Sequence, residues 1–159
     1  MLAYHGSNST IEEPGSSKQM GGLDFGQGFY LTTDENRARL FSKTAAIRNG
    51  GETIVNVYNF DLESASKALS IREFKEADME WLLFVKNNRL KIYDDPFYDA
   101  IIGKAVDDDA MPTLQAYLIG FTDEEATIHR LKTRELADQI CVRSEEALSW
   151  VKFERAYRS

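Results

Sequence analysis

The stretch that is most informative about the fold is residues 24–33, with the sequence Asp-Phe-Gly-Gln-Gly-Phe-Tyr-Leu-Thr-Thr. Gly26 and Gly28 flank one polar residue directly before an apolar run, so the backbone can turn tightly or pass close to a ligand there. The run from Phe29 is rich in strand-forming residues and places Tyr30 at the mouth of a strand. A helix over 34–47 is expected next, because Thr33 or Asp34 suits the N-cap position and an acidic residue follows.

The predicted helix carries an apolar stripe at helical spacing, formed by Ala38, Leu40, Phe41 and Ala45. This stripe is expected to face the core of the protein. Residues 24–47 therefore predict a glycine turn, a strand and a helix in succession, and the other elements are expected to assemble around this unit.

Short apolar or alternating runs predict further strands on both sides of this unit. They lie at residues 2–5, 53–60, 68–71, 98–103, 138–143 and 151–153. Helical patterns occupy residues 78–88, 112–119 and 122–133, and another helix is expected to start at Ser144. This mixture predicts an α/β (α+β) fold, and a chain of 159 residues is expected to form a single domain over residues 1–159.

The composition is that of a folded globular protein, with 43% hydrophobic and 28% charged residues. The single cysteine, Cys141, cannot form an internal disulfide, and two histidines with one cysteine give no zinc-ligand spacing. The first residues lack the pattern of a signal peptide, and no apolar run reaches membrane-spanning length. The cytoplasm is the predicted compartment, with no membrane contact, and export by a dedicated secretion machine is left open.

The net charge of −7 argues against a broad nucleic-acid surface, because nonspecific affinity for phosphates comes from clustered Lys and Arg. A local basic pocket is still compatible with this charge. Four cations close to the glycine turn could receive a small anion, and solvated surface charge is their alternative role. These cations are Lys18, Arg37, Arg39 and Lys43.

Two features have both a structural and a functional interpretation. The acidic turn at Asp107, Asp108 and Asp109 lacks the spaced oxygen ligands and distal Glu of a calcium loop, so helix capping or solvation is preferred and no metal is expected. Cys141 lies in an apolar strand without an obvious basic partner, which favours a buried structural cysteine over a nucleophile.

Three residues stand at or near predicted strand ends beside polar or glycine-rich turns: His5, Tyr30 and Gln139. Rigid scaffolds present functional groups at such positions. Each residue also has a structural alternative. His5 can be a satisfied structural histidine, Tyr30 a core aromatic residue and Gln139 a polar group at a sheet edge.

The sequence His5-Gly6-Ser7, followed by Gly26-Gln27-Gly28-Phe29-Tyr30-Leu31, resembles the ADP-ribosyltransferase superfamily. More specifically, it resembles the histidine-tyrosine branch, to which diphtheria toxin and the poly(ADP-ribose) polymerases belong. The resemblance implies an ADP-ribosyltransferase-like fold in which two small, mainly antiparallel sheets with flanking helices form a cleft. It also implies that NAD binds in this cleft as a substrate.

Site residues follow from the same resemblance. His5 would hydrogen-bond the nicotinamide ribose, Gly6 would offer its backbone to the carboxamide, and Tyr30 would stack on the nicotinamide ring. The implied NAD-binding set is His5, Gly6, Ser7, Gly26, Gly28 and Tyr30. The implied catalytic set is His5, Tyr30 and Gln139.

The layout also resembles the small bacterial proteins known as DUF3990, over nearly the full length. The stretches that carry this second resemblance are 55–58, 98–103 and 138–141. It suggests a bacterial toxin, effector or conflict-system protein. A cognate antitoxin or immunity protein would then be a partner.

Gln139 departs from the superfamily pattern, which commonly has a glutamate at the start of a late strand. A glutamine accepts a hydrogen bond but carries no charge, so it stabilises an oxocarbenium-like state less well. Asp138, Glu135 or Glu145 are candidate substitutes, against a helix-capping role for Glu145 and plain solvation for Glu135.

Two functions are compatible with these features. The first is an NAD-dependent mono-ADP-ribosyltransferase, or an NAD glycohydrolase, that acts on an unknown protein, nucleic-acid or small-molecule acceptor. The second is a noncatalytic module that keeps the cleft for NAD, another nucleotide or a protein partner and lacks the catalytic glutamate.

Overall fold

The computed structural model describes residues 1–15, 23–92 and 95–159. Within these ranges, the chain forms seven strands and six helices. The strands are β1 (Leu2–Ser7), β2 (Phe29–Thr32), β3 (Ile54–Phe60), β4 (Ile71–Glu73), β5 (Ala100–Lys104), β6 (Asp138–Val142) and β7 (Val151–Arg158). The helices are α1 (Glu35–Asn49), α2 (Leu62–Ala68), α3 (Met79–Arg89), α4 (Met111–Leu118), α5 (Glu124–Lys132) and α6 (Glu145–Leu148).

All seven strands belong to one mixed sheet with the order β4-β5-β6-β2-β1-β3-β7. Only β4 and β5 run parallel, whereas every other neighbouring pair is antiparallel. The mixed α/β class is therefore confirmed. The two separate sheets are not observed, because the described strands form one hydrogen-bonded series.

The sheet is nevertheless almost divided at one place, the junction of β1 and β2. These strands share a single residue pair, Tyr4 opposite Thr32. On its other edge β1 pairs with β3 continuously, from Leu2 opposite Asn59 to Ser7 opposite Ile54. We call the weakly paired β1–β2 junction the seam, and it separates β4-β5-β6-β2 from β1-β3-β7.

Three hydrophobic clusters pack on the sheet, and β2 contributes to two of them. Phe29 and Leu31 belong to a cluster that also contains Tyr58. Tyr30 packs against a second cluster, which is built around Phe25 and Trp81. This alternation follows from strand geometry, since successive side chains point to opposite faces.

Helix α1 begins as predicted but packs differently. Asp34 is the N-cap, and its side chain accepts a hydrogen bond from the Asn36 amide at 2.9 Å. The predicted apolar stripe is correct at Ala38, which is buried together with Ser42, and wrong at Leu40 and Phe41, which are 62% and 49% exposed. The reason is the close approach of α1 to β1, since a Cβ added to Gly6 would lie 2.0 Å from the Ala38 carbonyl oxygen.

Other boundaries also differ from the predictions. Strand β1 continues through Ser7, so His5 lies inside the strand and not at its end. Helix α2 was not predicted. Its N-cap is Asp61, whose carboxylate accepts a hydrogen bond from the Ser64 amide at 3.1 Å. Strand β7 extends to Arg158 and pairs with β3 along its length.

The structural interpretations of the acidic turn and of the cysteine are supported. Asp107 accepts a hydrogen bond from the Ala110 amide at 2.8 Å, directly before α4. Cys141 is fully buried in β6, and this burial raises the pKa of its thiol to about 12. In the described residues, none of the helices has both the length and the apolar character needed to cross a membrane.

Candidate functional site

A cavity of about 470 Å³ opens at the seam, on the side where β1 and β2 diverge. This volume is in the range of small-molecule sites in proteins. The lining includes four of the predicted site residues: His5, Gly6, Tyr30 and Gln139. Three strands bring these residues together, although Gln139 is more than a hundred positions from the other three.

Ser7, Gly26 and Gly28 are not among the described lining residues. Ser7 is buried in β1 opposite Ile54. Gly26 has a φ of +77°, a region that disfavours side chains, and its carbonyl accepts the Tyr30 hydroxyl hydrogen bond. A Cβ on Gly28 would lie 2.6 Å from the Cys141 sulfur. Backbone conformation thus explains the glycine at position 26, and close packing explains the glycine at position 28. Their contact with NAD stays a prediction.

The His5 side chain links β1 to β2 next to the point where their backbone pairing stops. Its Nδ1 lies 2.8 Å from the Tyr30 carbonyl oxygen, and its ring stacks on Phe29 with centroids 4.7 Å apart. A carbonyl can only accept, so Nδ1 carries the proton and Nε2 of the neutral ring is an acceptor. Burial lowers the pKa of His5, and the bond to the Tyr30 carbonyl offsets only part of this effect.

The Tyr30 side chain is fixed at its hydroxyl. The hydroxyl donates to the Gly26 carbonyl and accepts a hydrogen bond from the Phe25 amide at 3.2 Å. Burial raises the pKa of Tyr30, so the phenol stays neutral. The ring thus joins the glycine turn to β2 and forms part of the cavity wall.

Three polar residues of the cavity wall, Asp24, Arg89 and Gln139, are joined by hydrogen bonds, and we call them the triad. Arg89 lies at the end of α3, and its Nε and Nη2 approach Asp24 Oδ1 at 2.7 and 2.6 Å. Gln139 Nε2 donates to Asp24 Oδ2 at 2.9 Å. Asp24 is only 5% exposed, so its charge depends on these partners.

The amide of Gln139 has a defined orientation. Its Nε2 faces two acceptors, the Asp24 carboxylate at 2.9 Å and the Lys104 carbonyl at 3.4 Å. Neither group can donate to an amide oxygen, so the nitrogen must occupy this side. The acceptor that remains for a ligand is Oε1.

The carboxylates proposed as substitutes for Gln139 are not among the described lining residues. Asp138 forms an ion pair with Lys104 at 2.9 Å. Glu135 is exposed, and Glu145 lies in the first turn of α6, where Ser144 is the N-cap. The acid in the described cavity wall is Asp24.

Two arginines of α1 also line the cavity, Arg37 and Arg48. The Arg37 guanidinium lies 3.4 Å from the carbonyl oxygens of Ala105 and Val106 and 5.5 Å from the Phe41 ring centroid. Arg39 instead pairs with Glu35 at 3.0 Å. Lys43 is exposed, and Lys18 lies outside the described residues.

Local sequence signals for the triad are weak. Asp24 directly precedes the glycine turn, but its importance depends on Arg89, which is 65 positions away. Arg48 is one of several cations in α1 and has no distinguishing local pattern. Among the described residues, no group of three or more His, Cys, Asp or Glu side chains is placed to hold a metal ion. The expectation of a metal-free site stays a prediction.

Comparison with family models identifies the family of the chain. The model of DUF3990, described as a protein of unknown function, matches residues 1–153. Comparison with curated proteins and with solved structures gives no match.

Proposed function

The chain belongs to the DUF3990 family, and we propose that it binds NAD at the seam and cleaves the bond between nicotinamide and ribose. The ADP-ribose would pass to an acceptor, as in a mono-ADP-ribosyltransferase, or to water, as in an NAD glycohydrolase. One observation carries this proposal. The cavity gathers His5, Gly6, Tyr30 and Gln139, the residues that the ADP-ribosyltransferase resemblance selects for nicotinamide and its ribose.

Tyr30 is suited to hold the nicotinamide. An aromatic face attracts a planar cation, and the attraction strengthens where water is excluded. The two hydrogen bonds at its hydroxyl keep the ring in place before a ligand enters. A preorganised ring loses less conformational entropy on binding than a mobile one.

His5 and Gln139 are suited to hold the ribose. In the tautomer fixed by the Tyr30 carbonyl, Nε2 of His5 is a hydrogen-bond acceptor. Gln139 presents Oε1 as an acceptor because its nitrogen faces Asp24 and Lys104. Ribose hydroxyls donate to such groups, and both contacts would orient the sugar for bond cleavage.

Arg37 and Arg48 are suited to hold the pyrophosphate. Guanidinium groups bind phosphate oxygens through charge-assisted hydrogen bonds. Both arginines line the cavity of a protein whose net charge is −7. A local cationic wall can attract an anionic ligand despite the net charge of the whole molecule.

Cleavage passes through an oxocarbenium-like state, which negative charge stabilises. Among the described residues of the cavity wall, the acid is Asp24, and its charge is paired with Arg89. We therefore expect slow turnover and a larger role for orientation of the substrate than for charge stabilisation.

The test is a pair of substitutions at Tyr30 that separates its ring from its hydroxyl. Tyr30→Leu removes the stacking face, and we expect NAD affinity to fall about tenfold, the size of a buried cation–π contact. Tyr30→Phe keeps the face but loses the two hydroxyl hydrogen bonds that hold the ring, so its NAD affinity is expected to lie between those of the native protein and Tyr30→Leu. Calorimetry measures affinity, chromatography measures released nicotinamide, and thermal melts confirm that both variants fold.

Two outcomes would contradict the proposal. If the folded native protein does not bind NAD at millimolar concentration, the cavity serves another ligand. If Tyr30→Leu and Tyr30→Phe bind NAD equally well, the ring is not the nicotinamide platform.

A second candidate function is a noncatalytic NAD-binding module. The pairing of Asp24 with Arg89 favours it, because this pairing reduces the negative field available to a developing cation. Tight NAD binding without release of nicotinamide would select this module. The acceptor, a cytoplasmic site of action, a toxin or effector role and an antitoxin or immunity partner all stay predictions.

A further inference from the structure

We propose that Asp24 is a positioning residue that fixes the amide of Gln139, so that the ligand meets a neutral acceptor at position 139. This inference rests on the proposed function, because the ligand it concerns is the ribose of NAD. It assigns the carboxylate of the site to position 24. It also makes the glutamine a functional component of the site, where the superfamily pattern suggests a lost glutamate.

The hydrogen-bond inventory of the triad carries the proposal. Arg89 has only donors, and it approaches Asp24 Oδ1 through Nε and Nη2 at 2.7 and 2.6 Å. Asp24 Oδ2 is then the acceptor for Gln139 Nε2 at 2.9 Å. A carboxylate satisfies both neighbours at once because both of its oxygens accept.

An asparagine at position 24 could not do the same. Its oxygen would have to face Arg89, since two donors repel, and its NH₂ group would then face Gln139. Gln139 would have to rotate its amide and present Oε1 to the introduced NH₂ group. The ligand side of Gln139 would become a donor, although the volume of the side chain at position 24 would be almost unchanged.

A glutamate at position 139 would also fail in the native background. Its oxygen would replace Nε2 at 2.9 Å from the Asp24 carboxylate, and like charges at this distance repel. The two substitutions together should restore the pattern. The NH₂ group of the introduced asparagine would donate to the introduced glutamate, whose second oxygen would be the acceptor for the ribose.

The experiment is a cycle of single and double substitutions measured by NAD calorimetry on the full chain. For Asp24→Asn and for Gln139→Glu, we expect NAD affinity to fall at least about tenfold, the effect of losing a hydrogen bond in a buried polar site. For Asp24→Asn combined with Gln139→Glu, we expect affinity within about threefold of the native protein, because a donor and an acceptor again face each other between positions 24 and 139, and only the long 3.4 Å contact with the Lys104 carbonyl loses its donor.

Two further variants keep the proposal testable. Gln139→Met removes the acceptor and introduces no charge. It should reduce NAD affinity as much as Asp24→Asn does. Glu124→Gln is the matched control: its carboxylate accepts a hydrogen bond from the Tyr117 hydroxyl at 3.1 Å, away from the described cavity wall. It should leave affinity unchanged.

Two affinity results would overturn the proposal. The first is native affinity in folded Asp24→Asn. The second is a double variant that folds but binds no better than Asp24→Asn, because Asp24 would then act through its own charge and not through Gln139.

Amide hydrogen exchange tests the triad without NAD. The Gln139 side-chain protons, identified by their loss in Gln139→Met, should exchange slowly in the native protein and about tenfold faster in Asp24→Asn, where a hydrogen bond to a charged group is lost. If the native protein does not bind NAD, the proposed function is wrong, and slow exchange still supports the positioning role. Fast exchange in the native protein contradicts that role.

Discussion

The two edges of β1 are built differently. Toward β3, every residue of the strand has a partner, from Leu2 opposite Asn59 to Ser7 opposite Ile54. Toward β2, only Tyr4 is paired. At the next residue, the His5 side chain makes a hydrogen bond to the Tyr30 carbonyl. A fully paired strand edge leaves no backbone group for a ligand. Where a side chain replaces the backbone pairing, the two strands can separate and leave a cavity. The candidate site lies where side chains replace the sheet ladder.

The largest expected effect comes from breaking the triad beside the open edge. Arg89→Met leaves Asp24 buried without its cationic partner, and we expect the free energy of unfolding to fall by about 3–5 kcal/mol. Urea denaturation measures this change. Lys67→Met is the control, because its ion pair with Glu63 is exposed and should contribute no more than about 1 kcal/mol. Equal effects of the two substitutions would contradict the importance of the buried pair.

A smaller effect is expected on the face of β1 that touches α1. Gly6→Ala places a Cβ 2.0 Å from the Ala38 carbonyl oxygen, so α1 must move. We expect the free energy of unfolding to fall by about 2–3 kcal/mol, as for other overpacked sites. Gly15→Ala is the matched control, since its added Cβ meets no atom of the described residues within 4 Å. If Gly6→Ala is as stable as this control, α1 is not held against β1 at Gly6.

The smallest effect concerns the pH dependence of the seam. The pKa of His5 is lowered by burial, so below pH about 6.5 the unfolded chain binds more protons than the folded protein. Stability should fall as the pH falls through this region, by at most about 1.4 kcal/mol per pH unit for one group. Denaturation at several pH values measures the slope. His5→Gln should reduce it, and an unchanged slope would show that His5 does not titrate with folding.

The sequence predicted those features whose signals are local. Asp34 suits the N-cap position and an acidic residue follows it, so the sequence places α1 within two residues of its observed ends. Glycines before Phe29 marked the turn into β2. His5, Tyr30 and Gln139 were selected by resemblance, and the structure places all three in one cavity wall. Their chemical roles stay predictions.

Features that depend on distant contacts were not predicted. The predicted stripe of α1 is wrong at Leu40 and Phe41 because α1 approaches β1 closely at Gly6, where the small Ala38 is the stripe residue that is buried. The triad was missed because Asp24 gains its role from Arg89 and Gln139, at separations of 65 and 115 positions. Two sheets were expected, and one results because Tyr4 and Thr32 still pair across the seam.

The strand order also determines when each part of the sheet can be completed during synthesis. Strand β1 can pair with β3 once residue 60 has left the ribosome. Strand β2 must wait for β6, because Phe29 pairs with Val142 and Thr32 with Gln139. Until then one edge of β2 stays open, and open edges template aggregation. The nascent chain is therefore expected to need protection by chaperones over this interval, which ends with the segment that also completes the cavity.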